Sequence, residues 1–462
     1  IGGIKLNVND FEFNFVRTFI LFFICFAILS RKSYFFIKKV YVKKHLNSKI
    51  YIVTMLIVAV IFSIYTCSDC IIDKSIITVS EEKMWSPKNS TIVVYSLFKQ
   101  TEAFINGSID IQVDTEELQK LANPYDPSER DVEDVYYLFD IAYYHGRYFQ
   151  YFSILINLFI LPFRLISGVY YDITIYASII VFILVIVASL FYKKMVEKHI
   201  KKCSGFSYYL GYFAFLICSS MLCATRALAY EFQIMFGQIF FMISMMIILS
   251  IEKSDKHELI KYMLLGISTA LIVISKPSMA VLYIIITYYY VNLLKEKKYS
   301  KKQLIKIVLA TFSIFTIIAI FQMIYNYVRF NSIFEFGTKY QLTVADMRYC
   351  TTLSLNRILY GLLYNLFSMP TYLLTSFPFI NEGGVYEQSF GINEFMFKHY
   401  TIGIMTIPIT YMLFFKNKVK SSKIKRWTNI AIITSLILML VNIIFAGVSD
   451  RYLMDTRLLL VM

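Results

Sequence analysis

The chain has 462 residues, of which 58% are hydrophobic, 17% aromatic and 17% charged. This composition is too apolar for a water-soluble domain of this length and indicates a polytopic membrane protein. The formal net charge is +15, but the Lys and Arg residues lie in short clusters between apolar runs. We therefore expect the clusters to mark cytoplasmic loops, and we expect no nucleic-acid partner.

The first part of the chain has the charge pattern of two membrane spans and an external loop. Apolar segments at 12–30 and 50–66 predict the spans, and the loop between them is basic without a single acid, which predicts a cytoplasmic position. The section 67–150 instead contains 15 Asp and Glu residues against 7 Lys and Arg residues, which predicts an extracytoplasmic loop. Within it, apolar residues at helical spacing from Val94 to Ile105 predict an amphipathic helix on the outer membrane surface.

Apolar runs of about 20 residues, the length that a helix needs to cross a bilayer, follow along the rest of the chain. Two cytoplasmic clusters must be separated by an even number of crossings. The prediction meets this condition if 151–167 and 356–380 dip into the membrane or lie at its surface, and prolines in both segments favour incomplete helices. The predicted spans are 173–192, 206–225, 232–251, 262–275, 278–294, 305–327, 400–415, 428–447 and a last one that begins near Leu453.

These elements predict an all-α fold, a polytopic transmembrane helical bundle with a long extracytoplasmic loop after the second predicted span. The predicted location is the plasma membrane, with multiple passes. The predicted sections are the first two helices with their basic loop (1–66), the extracytoplasmic loop (67–150), a helical core (151–327), a second extracytoplasmic section with a re-entrant or interfacial helix (328–399) and the C-terminal helices (400–462).

Carboxylates and aromatic residues concentrate at one predicted membrane edge. Asp126 in NPYDP, Asp134 in VED and Asp140 in YLFD precede a run of Tyr residues that includes Tyr143 and Tyr144. A carboxylate there can accept a proton from a hydroxyl nucleophile, and Tyr rings suit the faces of sugars. A carboxylate cluster can also bind a divalent metal ion. The alternative interpretation is that these acids are solvated loop charges and that Asp126 only stabilises a turn between two prolines.

A second set of candidates is basic. Arg226, Lys276, Arg329 and Arg451 all fall at predicted outer ends of spans, where several cations on one face can bind a phosphate. The alternative is that each side chain extends to the phosphates of the surrounding lipids. Glu231 follows Arg226 closely and either contributes to substrate binding or pairs with that arginine.

Several of these segments together resemble a known family. ANPYDPSER followed by YLFDIAYYHGRYFQYFSILINLFILP, and later YNYVRFNSIFEFGTKYQLT and GVSDRYLMD, are similar to a pattern in large bacterial polytopic membrane proteins grouped with the GT-C-type glycosyltransferases. Asp126, Asp140, Arg329, Glu335 and Arg451 stand at positions of that pattern. The adjacent acidic pair that many GT-C enzymes carry straight after the first span is absent here, which leaves the identity of the base open.

The resemblance implies an enzyme that uses a polyprenyl-phosphate-linked sugar at the extracytoplasmic face, with a catalytic carboxylate in the first external loop. We therefore expect an inverting glycosyltransferase in which Asp140, or else Asp126 or Asp134, deprotonates the acceptor hydroxyl. The cations would stabilise the departing phosphate, and Tyr143, Tyr144, Glu231 and Glu335 are candidate substrate-binding residues. The expected partners are the lipid-linked donor and membrane lipids. The alternatives are a transporter or flippase of lipid-linked glycans and a non-catalytic protein of envelope assembly.

Overall fold

The computed structural model describes residues 49–74, 77–86, 92–200, 205–217, 229–350, 355–367, 371–372, 380–381, 403–404, 422–448 and 450–461. The first predicted span, most of the span predicted at 400–415, and Arg226 lie outside the described residues. The described structure is mostly helical, with 77% helix.

The helices in chain order are α1 (Lys49–Thr66), α2 (Ser68–Ile72), α3 (Glu81–Trp85), α4 (Val93–Ile105), α5 (Glu116–Lys120), α6 (Pro127–Val132), α7 (Ile154–Ser167), α8 (Ile173–His199), α9 (Gly205–Leu216), α10 (Ala229–Lys253), α11 (Glu258–Ser275), α12 (Tyr283–Lys297), α13 (Lys301–Phe330), α14 (Met347–Cys350), α15 (Leu355–Phe367), α16 (Ser422–Phe445) and α17 (Asp450–Val461). Short 3-10 helices cover Pro277–Leu282 and Thr338–Tyr340. The strands are β1 (Thr78–Val79), β2 (Ile141–Tyr144), β3 (Arg147–Phe149), β4 (Tyr170–Tyr171), β5 (Gln341–Leu342), β6 (Thr371–Tyr372) and β7 (Ile380–Asn381).

Six helices among the described residues are long and apolar enough to cross a membrane, which suggests a multi-pass membrane protein. They are α8, α10, α11, the continuous segment Pro277–Lys297, α13, and Ile424–Phe445 within α16. The predicted all-α bundle is thereby confirmed. The apolar helices α7 and α15 have 14 and 13 residues and lie where incomplete crossings were predicted.

The long helices alternate in direction. Helix α10 packs against α8 and α11, and α11 packs against α13 so closely that a Cβ atom at Gly266 would overlap the carbonyl oxygen of Thr311. Side-chain contacts join the start of α10 to the Asp140 loop, the end of α13 to the segment before α7, and the end of α11 to α17. These termini therefore meet at one end of the bundle. We call this end the Asp140 end and the opposite end the far end.

A small antiparallel sheet, which the sequence analysis did not predict, lies at the Asp140 end. Strands β2 and β3 form a hairpin with Tyr144 opposite Arg147, and β5 pairs with β2 so that Gln341 lies opposite Ala142. The turn is His145-Gly146, both with positive φ (48° and 76°), which is typical of a two-residue hairpin loop. Two aromatic runs separated by His-Gly are a hairpin signal. The same aromatic residues also fit the membrane edge that the sequence analysis predicts.

Helix α4 is present where an amphipathic helix was predicted, but its polar residues are not solvated. Lys99 and Gln100 are buried, and the helix packs against α7. The Gln100 side chain donates to the carbonyl oxygen of Ile109 (2.8 Å) and accepts from the backbone N–H of Gln150 (3.0 Å). The polar face of α4 therefore stabilises the chain segments around the sheet.

The NPYDPSER segment connects the polar section 67–150 to the section after α13. Arg130, which is 1% exposed, donates to the carbonyl oxygens of Pro124 (2.7 Å) and Thr343 (2.5 Å). Arg348 donates to Oδ1 of Asn123 (2.5 Å), and the hydroxyl of Tyr125 donates to the carbonyl oxygen of Tyr143 (2.7 Å). The two polar sections therefore form one folded unit above the bundle.

Replacing Arg130 by Met is expected to loosen this unit, because two buried carbonyl oxygens lose charged donors. The free energy of unfolding should fall by about 2–3 kcal/mol, measured by chemical denaturation of the detergent-solubilised protein. The exposed Arg147 of β3 supplies the control, and Arg147→Met should change the free energy by less than about 0.5 kcal/mol. Equal losses in the two variants would contradict this role of Arg130.

Candidate active site

Asp140 lies in a strained turn immediately before β2. Its φ is +57°, in the left-handed region, which Asp adopts more readily than most residues but still at a cost. Its backbone N–H donates to the carbonyl oxygen of Leu342 on β5 (2.7 Å), and the residue is 6% exposed. The carboxylate therefore points into the protein rather than into bulk solvent.

Two side chains from distant parts of the chain bind the Asp140 carboxylate. Gln341 donates from Nε2 to Oδ1 (2.7 Å), and the hydroxyl of Tyr230, in the first turn of α10, donates to Oδ2. Asp140 is thus positioned by the turn before β2, by β5 and by the start of a predicted membrane span.

Arg451, at the start of α17, completes this group. The Cζ atom of its guanidinium lies 4.1 Å from the ring centroid of Tyr230, a cation–π contact. The adjacent Glu231 is 2% exposed and interacts electrostatically with Arg451, as does Tyr151. Asp140 and Arg451 therefore share one tyrosine, with the acid at its hydroxyl and the cation over its ring.

Lys276, at the end of α11, lies beside the same group but is paired with an acid. Its ammonium donates to Oδ2 of Asp455, and the Asn442 side chain donates to the same oxygen (3.1 Å). Lys276 Nζ also lies 5.3 Å from the ring centroid of Tyr452, the residue after Arg451. Lys276 and Arg451 therefore both lie near the ring of Tyr452, and Asp455 is an additional buried acid.

Arg329 lies at the same end, but its guanidinium donates hydrogen bonds to main-chain and amide oxygens. It donates to the carbonyl oxygens of Gln150 (2.5 Å) and Tyr325 (3.3 Å) and to Oδ1 of Asn326 (2.8 Å), and it is 3% exposed. Glu335 accepts from the backbone N–H of Gly337 (2.7 Å), and a Cβ atom at that glycine would meet Phe330 and Tyr151. Arg329 and Glu335 support the segments around Asp140 and do not contact its carboxylate.

The other two candidate carboxylates lie apart from Asp140. Asp126 is the N-cap of α6, and its carboxylate accepts from the hydroxyl (2.6 Å) and backbone N–H (2.9 Å) of Ser128, hydrogen bonds that lower its pKa. Asp134 is exposed, with φ of 48°. Tyr143 is buried within the sheet, and Tyr144 packs against Tyr340 with ring centroids 4.6 Å apart.

The described residues contain no group of three or more His, Cys, Asp or Glu side chains that could hold a metal ion. The divalent metal that the sequence left open therefore has no ligand cluster in the part of the chain that the structure describes. The described site residues include a buried acid, Asp140, and a cation, Arg451, which both contact Tyr230.

Four residues of the site were not predicted from sequence: Tyr230, Gln341, Tyr452 and Asp455. A signal existed for three of them, and one of these, Tyr452, lies in the GVSDRYLMD segment that carried part of the family resemblance. Asp455 is an acid inside the last predicted span, and such residues are costly unless they have a function or a partner. Gln341 belongs to the YQLT segment that carried part of the family resemblance. Tyr230 had no local signal, because its partner Asp140 is 90 residues away in the chain.

No protein-family model, no curated protein and no solved structure matches this chain. Within the described residues, the protein is mostly helical with six long apolar helices, and no family is identified for it.

Replacing Lys276 by Met should destabilise the protein by about 3–5 kcal/mol, because Asp455 is left as an unpaired buried charge. The double variant Lys276→Met/Asp455→Leu should recover most of that loss. As the control, the surface pair Lys297–Asp255, whose Asp255 side chain is 77% exposed, should lose about 0–1 kcal/mol in Lys297→Met. Chemical denaturation of all variants measures the coupling, and additive losses at Lys276 and Asp455 would contradict the buried pair.

Proposed function

We propose that this chain is an integral membrane glycosyltransferase of the GT-C type, which transfers a sugar from a polyprenyl-phosphate-linked donor to an acceptor hydroxyl with inversion. The observation that supports it most is the buried Asp140 carboxylate, joined through one tyrosine to Arg451. A base and a phosphate-binding cation are the two groups that this reaction requires. The resemblance of the segments around Asp140, Gln341 and Arg451 to GT-C proteins points to the same chemistry.

Asp140 acts as the general base in this proposal. Each of its carboxylate oxygens accepts one hydrogen bond and keeps a second lone pair, so either oxygen can accept the proton of an acceptor hydroxyl. The acceptor oxygen then forms a bond to the anomeric carbon of the sugar as the bond from that carbon to the phosphate oxygen breaks. The proton remains on Asp140, and the electron pair leaves with the polyprenyl phosphate.

Arg451 stabilises the charge that develops on the departing phosphate. A preoriented cation in a site with little water lowers the energy of such a transition state more than it would in solution. The Tyr230 ring keeps the guanidinium near Asp140 without neutralising it. Lys276 adds positive charge beyond Tyr452, and its pairing with Asp455 assigns it a weaker role in phosphate binding than Arg451.

The proposed site faces the extracytoplasmic side. It lies at the same end of the bundle as the described residues of the acidic section 67–150, whereas the far end carries the basic residues within 193–200 and 295–306. A donor bound through a lipid phosphate is available at that face, and nucleotide sugars are cytosolic. The acceptor hydroxyl would approach from the section above the bundle, where the sheet and the Tyr residues lie.

Asp140→Asn should abolish transfer, with a loss of at least about a thousandfold in rate, because the base is removed while both hydrogen-bonding partners can be retained. Protein in nanodiscs is incubated with polyprenyl-phosphate-linked glucose, mannose or galactose, and released polyprenyl phosphate is quantified. Asp126→Asn and Asp134→Asn are matched controls, since both lie in the same section away from Asp140, and they should retain activity within about threefold.

Two results would contradict the proposed glycosyltransferase activity. One is an active Asp140→Asn variant, and the other is that wild type releases no polyprenyl phosphate from any tested donor. The same nanodisc protein reconstituted into liposomes also tests the rival. If wild type and Asp140→Asn move a fluorescent polyprenyl-phosphate sugar across the bilayer equally well without releasing lipid phosphate, the protein is a flippase.

Arg451→Gln should reduce turnover by about a hundredfold or more, the size of effect seen when one donor to a developing oxyanion is lost. It should also weaken binding of farnesyl phosphate, a soluble analogue of the leaving lipid, measured by calorimetry and independently of catalysis. The exposed Arg147→Gln is the control and should bind farnesyl phosphate as wild type does. Unchanged binding in Arg451→Gln would exclude Arg451 as the phosphate ligand.

A further inference from the structure

A cavity of about 150 Å³ lies at the far end of the bundle, where the ends of α8, α10 and α12 meet the start of α16. Glu252 in its wall is 22 residues from Tyr230 along α10, or about 33 Å at the helical rise. The cavity far exceeds the roughly 10–15 Å³ that one water requires. It is therefore large enough for a small polar group and distinct from the Asp140 site.

The charged residues of the cavity wall balance one another. Lys198 and Arg426 are cations, and Glu252 and Glu296 are anions. A wall with both signs of charge and no net charge does not favour a simple anion. It suits a ligand that itself carries one positive and one negative group.

The cations are not equivalent. Lys198 is paired with Glu252 and also lies over the ring of Tyr289, with its Nζ 5.2 Å from the centroid. Arg426 is exposed and makes no hydrogen bond or ion pair with any described residue. It lies in the first turns of the 24-residue helix α16, where the helix dipole also favours a negative group. A phosphate at this point would have a free guanidinium as its partner.

Aromatic side chains line the same cavity, which lies at the ends of the helices. Trp427 is 5% exposed and packs edge-to-face on Tyr289, with ring centroids 5.3 Å apart. Trp and Tyr are enriched where lipid headgroups meet the hydrocarbon region of a bilayer. The cavity therefore has the surroundings expected of a headgroup site.

We propose that this far-end cavity binds the headgroup of a zwitterionic phospholipid with a primary amine, such as phosphatidylethanolamine. Arg426 and the start of α16 bind the phosphate, and the carboxylates of the wall bind the ammonium group. This site is independent of the chemistry proposed for Asp140.

The two tryptophans of the chain, Trp85 and Trp427, give a direct readout. In a Trp85→Phe background the fluorescence reports on Trp427 alone, and titration with dihexanoyl-phosphatidylethanolamine in detergent should give a saturable change. The apparent Kd should rise at least tenfold on adding Arg426→Gln and change less than twofold on adding Lys425→Gln. Lys425 is the matched control, because it is the neighbouring cation on α16 and does not line the cavity.

Two further ligands test the ligand class and its source. Dihexanoyl-phosphatidylglycerol, which lacks the amine, should bind at least tenfold more weakly than the ethanolamine lipid, and so should free O-phosphoethanolamine, which lacks the acyl chains. Equal binding of the two lipids would overturn the zwitterionic headgroup, and equal or tighter binding of the free compound would overturn the lipid source. Equal effects of the Arg426 and Lys425 substitutions would overturn the site itself.

Discussion

The structure depends most on the burial of one carboxylate. A carboxylate that leaves water loses hydration worth several kcal/mol, and only good hydrogen bonds can offset this loss. Asp140 obtains them from Tyr230 and Gln341, which are 90 and 201 residues away in the chain. The section above the bundle and the helices below it are therefore linked at this point, because the carboxylate requires donors from both.

Two buried arginines near Asp140 stabilise the chain segments around it. Arg130 attaches the NPYDPSER segment to the chain after β5, and Arg329 attaches the end of α13 to Gln150. Both guanidiniums donate to oxygens of the protein itself, Arg130 to two carbonyl oxygens and Arg329 to carbonyl and amide oxygens. Arg451 differs, because its guanidinium lies over the Tyr230 ring and interacts electrostatically with the buried Glu231. The surroundings of each arginine thus separate a structural residue from a candidate ligand-binding one.

The sequence predicted the parts of this structure that depend on local pattern. Long apolar runs predicted the helices α8, α10 and α13. The alternation of charged clusters along the chain predicted that Lys276, Arg329 and Arg451 lie at one end of the bundle. The hairpin and the role of Asp126 as a helix cap have local signals as well, in the His-Gly turn and in the position of Asp126 directly before a proline. The pairs Asp140–Tyr230 and Lys276–Asp455 join residues too far apart in the chain for any local pattern to specify.

The buried Lys276 beside the site pairs with an acid of helix α17. Its residues from Leu453 to Leu459 are all buried, although they include Asp455 and Arg457, and ionisable residues in such a position carry a high desolvation cost. Asp455 is four residues after Arg451, a spacing at which an acid and an arginine on one helix pair readily. Because Asp455 instead binds Lys276 and Asn442, it does not neutralise Arg451, whose guanidinium stays over Tyr230. The buried Lys276–Asp455 pair thus keeps Asp455 from pairing with Arg451.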